Sequence, residues 1–535
     1  LSLLQSLTIN MLVQAVLVAL STILFGLYLF LKSRYNYWKN KNVPHLKPVP
    51  ILGNYGKYLL FKKNLGETAQ DICRQFPNEP YVGAYYGTEP TLIIQDPTLL
   101  KTVMTKDYYY FSSREVDKYN NREVSTNNMF FSGGDKWRVL RQNMTPIFTS
   151  AKMKNMFYLI ENCCYEFERL LDAEILKTNQ VEAKFLMTRF TMGCIGSCAF
   201  GVNTNTMEGL DDSNMFLMIS KAATNDSHSQ IMKFYMRSIW PALFYAVKMK
   251  AFPAHVLKSF HEFLVCVFKS RDYTPSTRND FVDLVLNFVK DKYVVGDSLK
   301  GMKTGCSEKV KLEVDDEFLV SQCMLLFVGG FETSATTSSF TLYELAKNQE
   351  AQRRVQAEID AFLKKHDNKV TYDCVSEMPY LDACIDETLR LYPVLGVLTR
   401  EVVENYTLPT GLSLEKGMRV HIPVHHLHRN PDYFPEPDQY KPERFYAQNK
   451  KDVKPYTYMP FGEGPRICLG LRFAKMQMTA GLITLLKRYN VELAEGMLST
   501  PMLEPKSFVV KCIGGVNLKC TPREGWENRM FAARN

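Results

Sequence analysis

Between Pro460 and Gln477 the chain reads PFGEGPRICLGLRFAKMQ, which sets Cys468 in a loop with Gly462, Gly464, Pro465 and Gly470 just ahead of a helix start. Glycine lacks a Cβ, so such a loop can turn tightly and come close to a flat ligand. A sulfur beside Arg466 and a helix N-terminus is inclined to ionise, because both favour the anion. A thiolate held this way can be a nucleophile, a zinc ligand or the axial ligand of a haem iron. No CxxC or HxxxH partner lies beside it, which argues against zinc.

A second group is Gly329, Gly330, Phe331, Glu332 and Thr333, inside a stretch from Asp315 to Lys347 that reads as one long helix. Two glycines in a helix interior cost about 1 kcal/mol each relative to alanine. They call for a reason, either tight packing against another helix or room for a broad ligand. A threonine hydroxyl there can loosen the helical ladder and admit water. Glu387 and Arg390 in ETLR are neighbours on a helix face. Trp137 and Arg141 in KWRVLR also share one. His421, His425, His426 and His428 crowd one segment, but no carboxylate or cysteine at ligand spacing completes a metal site.

Phe461, Gly464, Arg466, Cys468 and Gly470 stand at the spacing F-x-x-G-x-R-x-C-x-G of the haem-binding loop of the cytochromes P-450. The chain resembles that family from its N-terminal anchor to its last strands, and within it the insect microsomal clan that handles plant toxins and insecticides. The resemblance implies an α+β, mainly α fold, a helical haem domain with small β-sheets behind a transmembrane anchor. It implies that Cys468 is the thiolate ligand of haem b, iron protoporphyrin IX. Phe461 would pack against the ligand loop, and Arg466, Trp137, Arg141 and Arg400 would hold the propionates, a task suited to planar, always-charged guanidiniums. GGFET matches the family's A/G-G-x-D/E-T. The match implies that Gly329 and Gly330 lie against the haem and that Glu332 and Thr333 manage protons during oxygen activation. Glu387 and Arg390 match the E-x-x-R pair, joined to Arg444 of KPERF in a buried structural network. Pocket residues implied by the resemblance are Phe130, Phe131, Val394, Val397, Leu398, Phe508 and Val509, all apolar, which gives an open, greasy cavity.

The activity implied is a monooxygenase that inserts one atom of O2 into lipophilic substrates, xenobiotics such as plant allelochemicals and insecticides foremost. Electrons would come from NADPH through NADPH–cytochrome P-450 reductase, with cytochrome b5 as an occasional second donor. Lys136, Arg138, Lys152, Lys154, Arg472 and Lys475 flank the haem-side elements and suit an acidic donor. A hormone or fatty-acid monooxygenase, a non-redox haem-thiolate isomerase and a haem sensor are the alternatives. Thr333 weighs against the isomerase, and the lack of a visible signalling segment against the sensor.

The elements that must position these groups are legible in outline. Residues 1–31 carry no charge, and Leu12–Leu31 is long enough to cross a ~30 Å bilayer core. Met11 reads as a natural start, and residues 1–10 as a translated leader or a gene-model artefact. Lys32, Arg34, Lys39 and Lys41 follow, which keeps that side cytoplasmic, on an endoplasmic reticulum membrane by resemblance. A basic, proline-rich segment, 32–53, reads as a hinge that lifts a catalytic domain, 54–535, off the membrane. Tyr81–Ile94 reads as a hairpin, the middle from 151 to 300 as helical, and EVVENYTLP, LSLEKGMRVHIPV and SFVVKCIGGVNLKC as short strands. The apolar pieces MFLMISKA and IWPALFYAVKMKAFPAHV read as pocket roof or as core. The net charge of +9 is modest for 535 residues, and no basic run with interleaved aromatics suggests a nucleic acid. Thirteen scattered cysteines favour a reducing, cytosol-facing compartment. Cys163, Cys164, Cys194, Cys198 and Cys266 read as small core residues.

Overall fold

The uncharged N-terminal run forms one helix, α1 (Ser2–Tyr35), in the computed structural model, which describes residues 2–208, 214–223, 227–276 and 280–532. Residue 1 of the expected leader, 209–213, 224–226 and 277–279 of the expected helical middle, and 533–535 lie outside the described residues. α1 is apolar all round and exposed from Asn10 to Phe30, so no face of it packs on the rest of the chain there.

The hinge expected over 32–53 is docked instead. Trp38 is fully buried, and its Nε1 donates to Ala84 O at 2.8 Å. Gly83 must be glycine, because a Cβ there would fall 2.5 Å from the Trp38 ring. The Gly83 N–H donates to Pro44 O at 2.8 Å, and Arg34 pairs with Glu89 at 2.6 Å. The prolines do stiffen this segment, but it is stiffened against the body rather than free of it.

The body is mainly helical with small, segregated sheets. Strands β1 (Tyr81–Tyr86) and β2 (Glu89–Ile94) form the expected hairpin, with Gly87 at φ +63° in its turn. β3 (Leu398–Glu401) runs antiparallel to β4 (Arg419–Ile422), which lies parallel to β2, giving the order β1-β2-β4-β3. This sheet carries Arg400 to the cavity described below. Gln180–Glu182, Tyr489–Leu493 and Asn517–Pro522 make a second sheet, and Tyr293–Asp297 pairs with Lys309–Glu313. Of the expected SFVVKCIGGVNLKC, the NLKC end forms strand, within Asn517–Pro522, but the stretch Ser507–Val510 does not. It follows Pro505 and has one cross-chain backbone bond, Val510 N–H to Val394 O, too little for a ladder.

Five helices frame the site: α2 (Gly134–Met144), α3 (Ala183–Ile195), α4 (Asp316–Lys347), α5 (Pro379–Leu391) and α6 (Leu471–Leu486). α4 begins where the Asp315 carboxylate accepts the Phe318 N–H at 2.7 Å, with Asp316 and Glu317 in the first turn facing the helix dipole. Its second half, Ser334 to Ala346, is buried on every side, enclosed by neighbours that include α3 and α6. Four of the five cysteines read as core are buried; Cys266 is exposed, on the outer face of the helix Ala254–Lys269.

Candidate active site

One cavity is walled by α2, α4, β3 and the loop 460–470. The loop reaches it because two glycines sit in the left-handed region, Gly462 at φ +74° and Gly464 at φ +71°. A Cβ on Gly464 would fall 1.9 Å from Met104 O, so no other residue fits there. The Cys468 N–H donates to Phe461 O at 2.8 Å, which closes the loop and turns both side chains to the cavity wall.

Arg466 is not the charge that faces the sulfur. Its guanidinium lies 4.8 Å over the Trp137 ring and donates to Tyr108 Oη and to the carbonyls of Phe130 and Ser132. Burial pushes the Cys468 thiol up, and the Gly470 N–H with the charges of Arg141 and Arg114 offset part of that. Cys468 is open to the cavity, where a bound metal ion would hold the sulfur as thiolate, since a metal deprotonates a thiol that ligates it.

Arg114, Arg141, Arg400 and Arg466 all reach the cavity wall, and among the described residues none forms a salt bridge to a carboxylate. Burial, with Arg466 beside it, lowers Arg400 to about 10; burial, Arg400 and Arg466 push Arg114 well down. The Nε atoms of Arg114 and Arg400 are buried without a hydrogen-bond partner. Crowded like charges with orphaned donors fit a ligand that brings carboxylates, and a flat one suits the glycine loop. Haem has both properties. Trp137 and Arg141 stand one turn apart on α2 and both line this side.

On α4 the two glycines do different jobs. A Cβ on Gly329 would meet nothing within 4 Å, so that position faces open cavity. A Cβ on Gly330 would lie 2.7 Å from Ile195 Cδ1, so that one lets α3 approach. Gly329 thus leaves the room a broad ligand would need, and Gly330, also on the cavity wall, the close approach of α3. Thr333 is on the wall, its Oγ1 donating to Gly329 O at 2.8 Å. Glu332 is not: it is buried toward α3, its Oε1 2.5 Å from Lys184 Nζ. One residue along a helix is a turn of about 100°, so Glu332 and Thr333 cannot share a face.

Behind the loop, Arg390 holds Glu387 at two points, 2.7 and 2.8 Å, with both side chains fully buried. Its remaining N–H groups take the carbonyls of His428, Pro437 and Gln439, and Arg444 Nε lies 3.5 Å from Glu387. A second network ties α6 to α5. Lys475 reaches Asp382 at 2.6 Å and Asp386 at 2.5 Å, and Lys450 reaches the same two. Lys475 is thus neutralised internally and withdrawn from the expected docking face. Lys136 is half-buried against Asn127, which leaves Lys154 and Arg472 as the exposed cations of that set.

Of the expected pocket residues, Phe130, Val394 and Leu398 are on the wall; Phe131, Val397, Phe508 and Val509 are not. Val397 precedes Leu398, so in extended chain it points the other way, into the sheet core. Phe131 packs edge-on against Phe130 and under Arg237. Phe508 is 67% exposed, and Val509 packs at the core margin. MFLMISKA buries Phe216 against Phe327, and neither it nor the second apolar piece reaches the wall. Leu395, inside the expected stretch Val394 to Leu398, is on the wall too. Sequence reasoning missed Arg114 and Gln477; a lone arginine in SSREVDK and a glutamine inside a helix carry no spacing signal. The histidines serve the fold: His421 bonds Tyr55 and Glu115, His428 Nε2 accepts the Met459 N–H, and burial lowers His426 to about 4 and His428 to about 3.

A family model described as Cytochrome P450 matches residues 43–515. Among curated proteins the chain is 34% identical over 507 residues to Cytochrome P450 6B2 of Helicoverpa armigera, covering 94% of this chain and 98% of that one. It is 34% identical over 503 residues to Cytochrome P450 6j1 of Blattella germanica, covering 94% and 96%. It is 36% identical over 486 residues to Cytochrome P450 6B1 of Papilio polyxenes, covering 89% and 93%.

Proposed function

The chain belongs to the cytochrome P450 family and is a haem-dependent monooxygenase, and from that premise we propose that it oxidises lipophilic xenobiotics, plant allelochemicals and insecticides among them, with electrons from NADPH through a reductase. Bound haem supplies the dioxygen and one-electron chemistry. The chain's residues do the rest. Cys468 would ligate the haem iron, on a loop whose glycines fix its approach. Arg114, Arg141, Arg400 and Arg466 would neutralise the propionates, and Trp137 braces Arg466. Glu387, Arg390 and Arg444 keep the loop from shifting. Phe130, Leu325, Leu326, Val394, Leu395 and Leu398 exclude water and receive the apolar substrate. Thr333 carries a proton at Oγ1 and can turn it from Gly329 O toward the cavity.

The observation that carries this reading is the meeting of Cys468, Thr333 and four carboxylate-free arginines on one cavity. The catalytic domain, expected over 54–535, takes in the docked segment from Trp38 as well, and α1 is an anchor in the endoplasmic reticulum membrane with the body in the cytosol. Support comes from the exposed apolar Val49, Ile51 and Leu60 that follow α1. Lys154 and Arg472, the exposed cations of the basic set, meet the acidic reductase, or cytochrome b5.

Two measurements test it. The reduced protein under carbon monoxide should show the spectrum of a thiolate-ligated haem, lost in Cys468→Ala; a histidine-type spectrum would refute the ligand assignment. A panel of insecticides, furanocoumarins, ecdysteroids and fatty acids, with reductase and NADPH, should give product chiefly from the first two. Product from ecdysteroids or fatty acids alone would make the role endogenous. Reductase-independent turnover of a lipid hydroperoxide would point to an isomerase, and binding shifts without turnover to a sensor.

A further inference from the structure

Three successive carbonyls in the middle of α4 each accept a hydrogen bond from a side chain as well as serving the helix. Gly329 O takes Thr333 Oγ1 at 2.8 Å, Gly330 O takes Gln477 Nε2 at 2.7 Å, and Phe331 O takes Thr191 Oγ1 at 3.1 Å. The three donors come from three helices: α4 itself, α6 and α3. Gln477 also reaches Ser334 Oγ at 2.7 Å, so its amide spans a full turn of α4, the turn that contains Thr333. It is fully buried and lies on the cavity wall, and its Oε1 has no partner. The amide orientation follows from its neighbours, because a carbonyl such as Gly330 O can only accept.

A carbonyl that accepts from outside tilts away from the axis and lengthens its own ladder bond. Thr333 must release Gly329 O before its hydroxyl can serve the cavity. When it does, the turn loses one of its three side-chain ties. The other two are the ones that keep the backbone from following the hydroxyl. Thr191 holds from the α3 side, where Gly330 already touches Ile195. Gln477 holds from the cavity side, on the same helix that follows the cysteine loop.

We propose that Gln477 is a positioning residue for proton delivery: its amide donor fixes the Gly330–Ser334 turn so that the Thr333 hydroxyl can swing between Gly329 O and the cavity. This rests on the monooxygenase reading and adds a residue to it. Gln477 touches no reacting atom; it acts through Gly330 O and Ser334. Its donor, not its bulk, is what matters.

Two variants separate donor from bulk. Gln477→Leu removes the donor and should keep the thiolate-type carbon monoxide spectrum. With reductase it should release several-fold more hydrogen peroxide per NADPH than the parent, and amide hydrogen exchange over 329–335 should speed up in the resting protein. Gln477→Glu keeps the shape. At the acid end its buried carboxyl is protonated and can donate to Gly330 O, so coupling should approach the parent's. As pH rises and the carboxylate forms, the donor is lost and peroxide release should climb more steeply than in the parent. A parent-like peroxide yield and exchange rate in Gln477→Leu would overturn the proposal. So would a Gln477→Glu protein that tracks the parent at every pH, and this series decides the matter even where Gln477→Leu does not fold. Failure of the monooxygenase reading itself would show in the parent, as absent reductase-dependent turnover.

Discussion

Glu332 Oε1 lies 2.5 Å from Lys184 Nζ, with side chains 7% and 16% exposed. The acid that precedes Thr333 is thus tied to α3 rather than turned to the cavity. Removing the lysine leaves a carboxylate buried without its counter-charge, a change that costs about 3 kcal/mol. Lys184→Met should lose that much in denaturant unfolding, and Lys184→Met with Glu332→Gln should regain part of it, because the second change removes the stranded charge. Independent, additive losses would show that the pair is not coupled.

Arg390 meets Glu387 and three backbone carbonyls at once. Only a guanidinium has the donors and the fork for that set; an ammonium has three donors and no plane. Arg390→Lys, conservative in charge, should still cost about 3 kcal/mol or more and lower the haem-bound fraction of purified protein. Haem content and stability equal to the parent's would refute it.

Burial pushes Glu401 up to about 7, with Asp117 and Glu115 adding to the effect and Arg419 opposing it. The folded chain keeps this carboxyl protonated until near neutrality, whereas the unfolded chain ionises it near its ordinary 4.5. For this group the unfolded state holds fewer protons through that window, so its contribution to stability is present below it and lost as pH rises toward 7. Glu401→Gln should remove that fall, a difference on the order of 2 kcal/mol given its partial exposure. Denaturant titrations of both proteins at about pH 5 and about pH 7.5 would read it; a variant-to-parent gap that does not widen with pH would count against it.

Phe130 lines the cavity, while Phe508 stands 67% exposed outside it. Phe130→Ala should weaken binding of apolar ligands, read from the haem spectrum, by about tenfold, near 1.4 kcal/mol. Phe508→Ala should leave it unchanged. The reverse order would mean that the ligand sits elsewhere.

What could be read before the structure was what local spacing encodes. The loop around Cys468, the paired glycines and the E-x-x-R step each sit within one turn or one helix face, so their geometry follows from their order. Arg114 could not be found that way, because its companions Arg141, Arg400 and Arg466 come from other parts of the chain. Lys475 looked like a surface cation because Asp382 and Asp386, which hold it, lie about 90 residues earlier. Phe508 looked like pocket lining because apolar type says nothing about direction where no strand or helix fixes it.

The burial of Trp38 leaves no slack between α1 and the body. Three residues after α1 ends, the chain is already locked under β1, with Tyr35 edge-on against Tyr85 at 5.0 Å. Any lean of α1 must therefore turn the whole body with it. The direction of the cavity mouth relative to α1 is set by this joint, and Trp38 fixes it without lining the cavity.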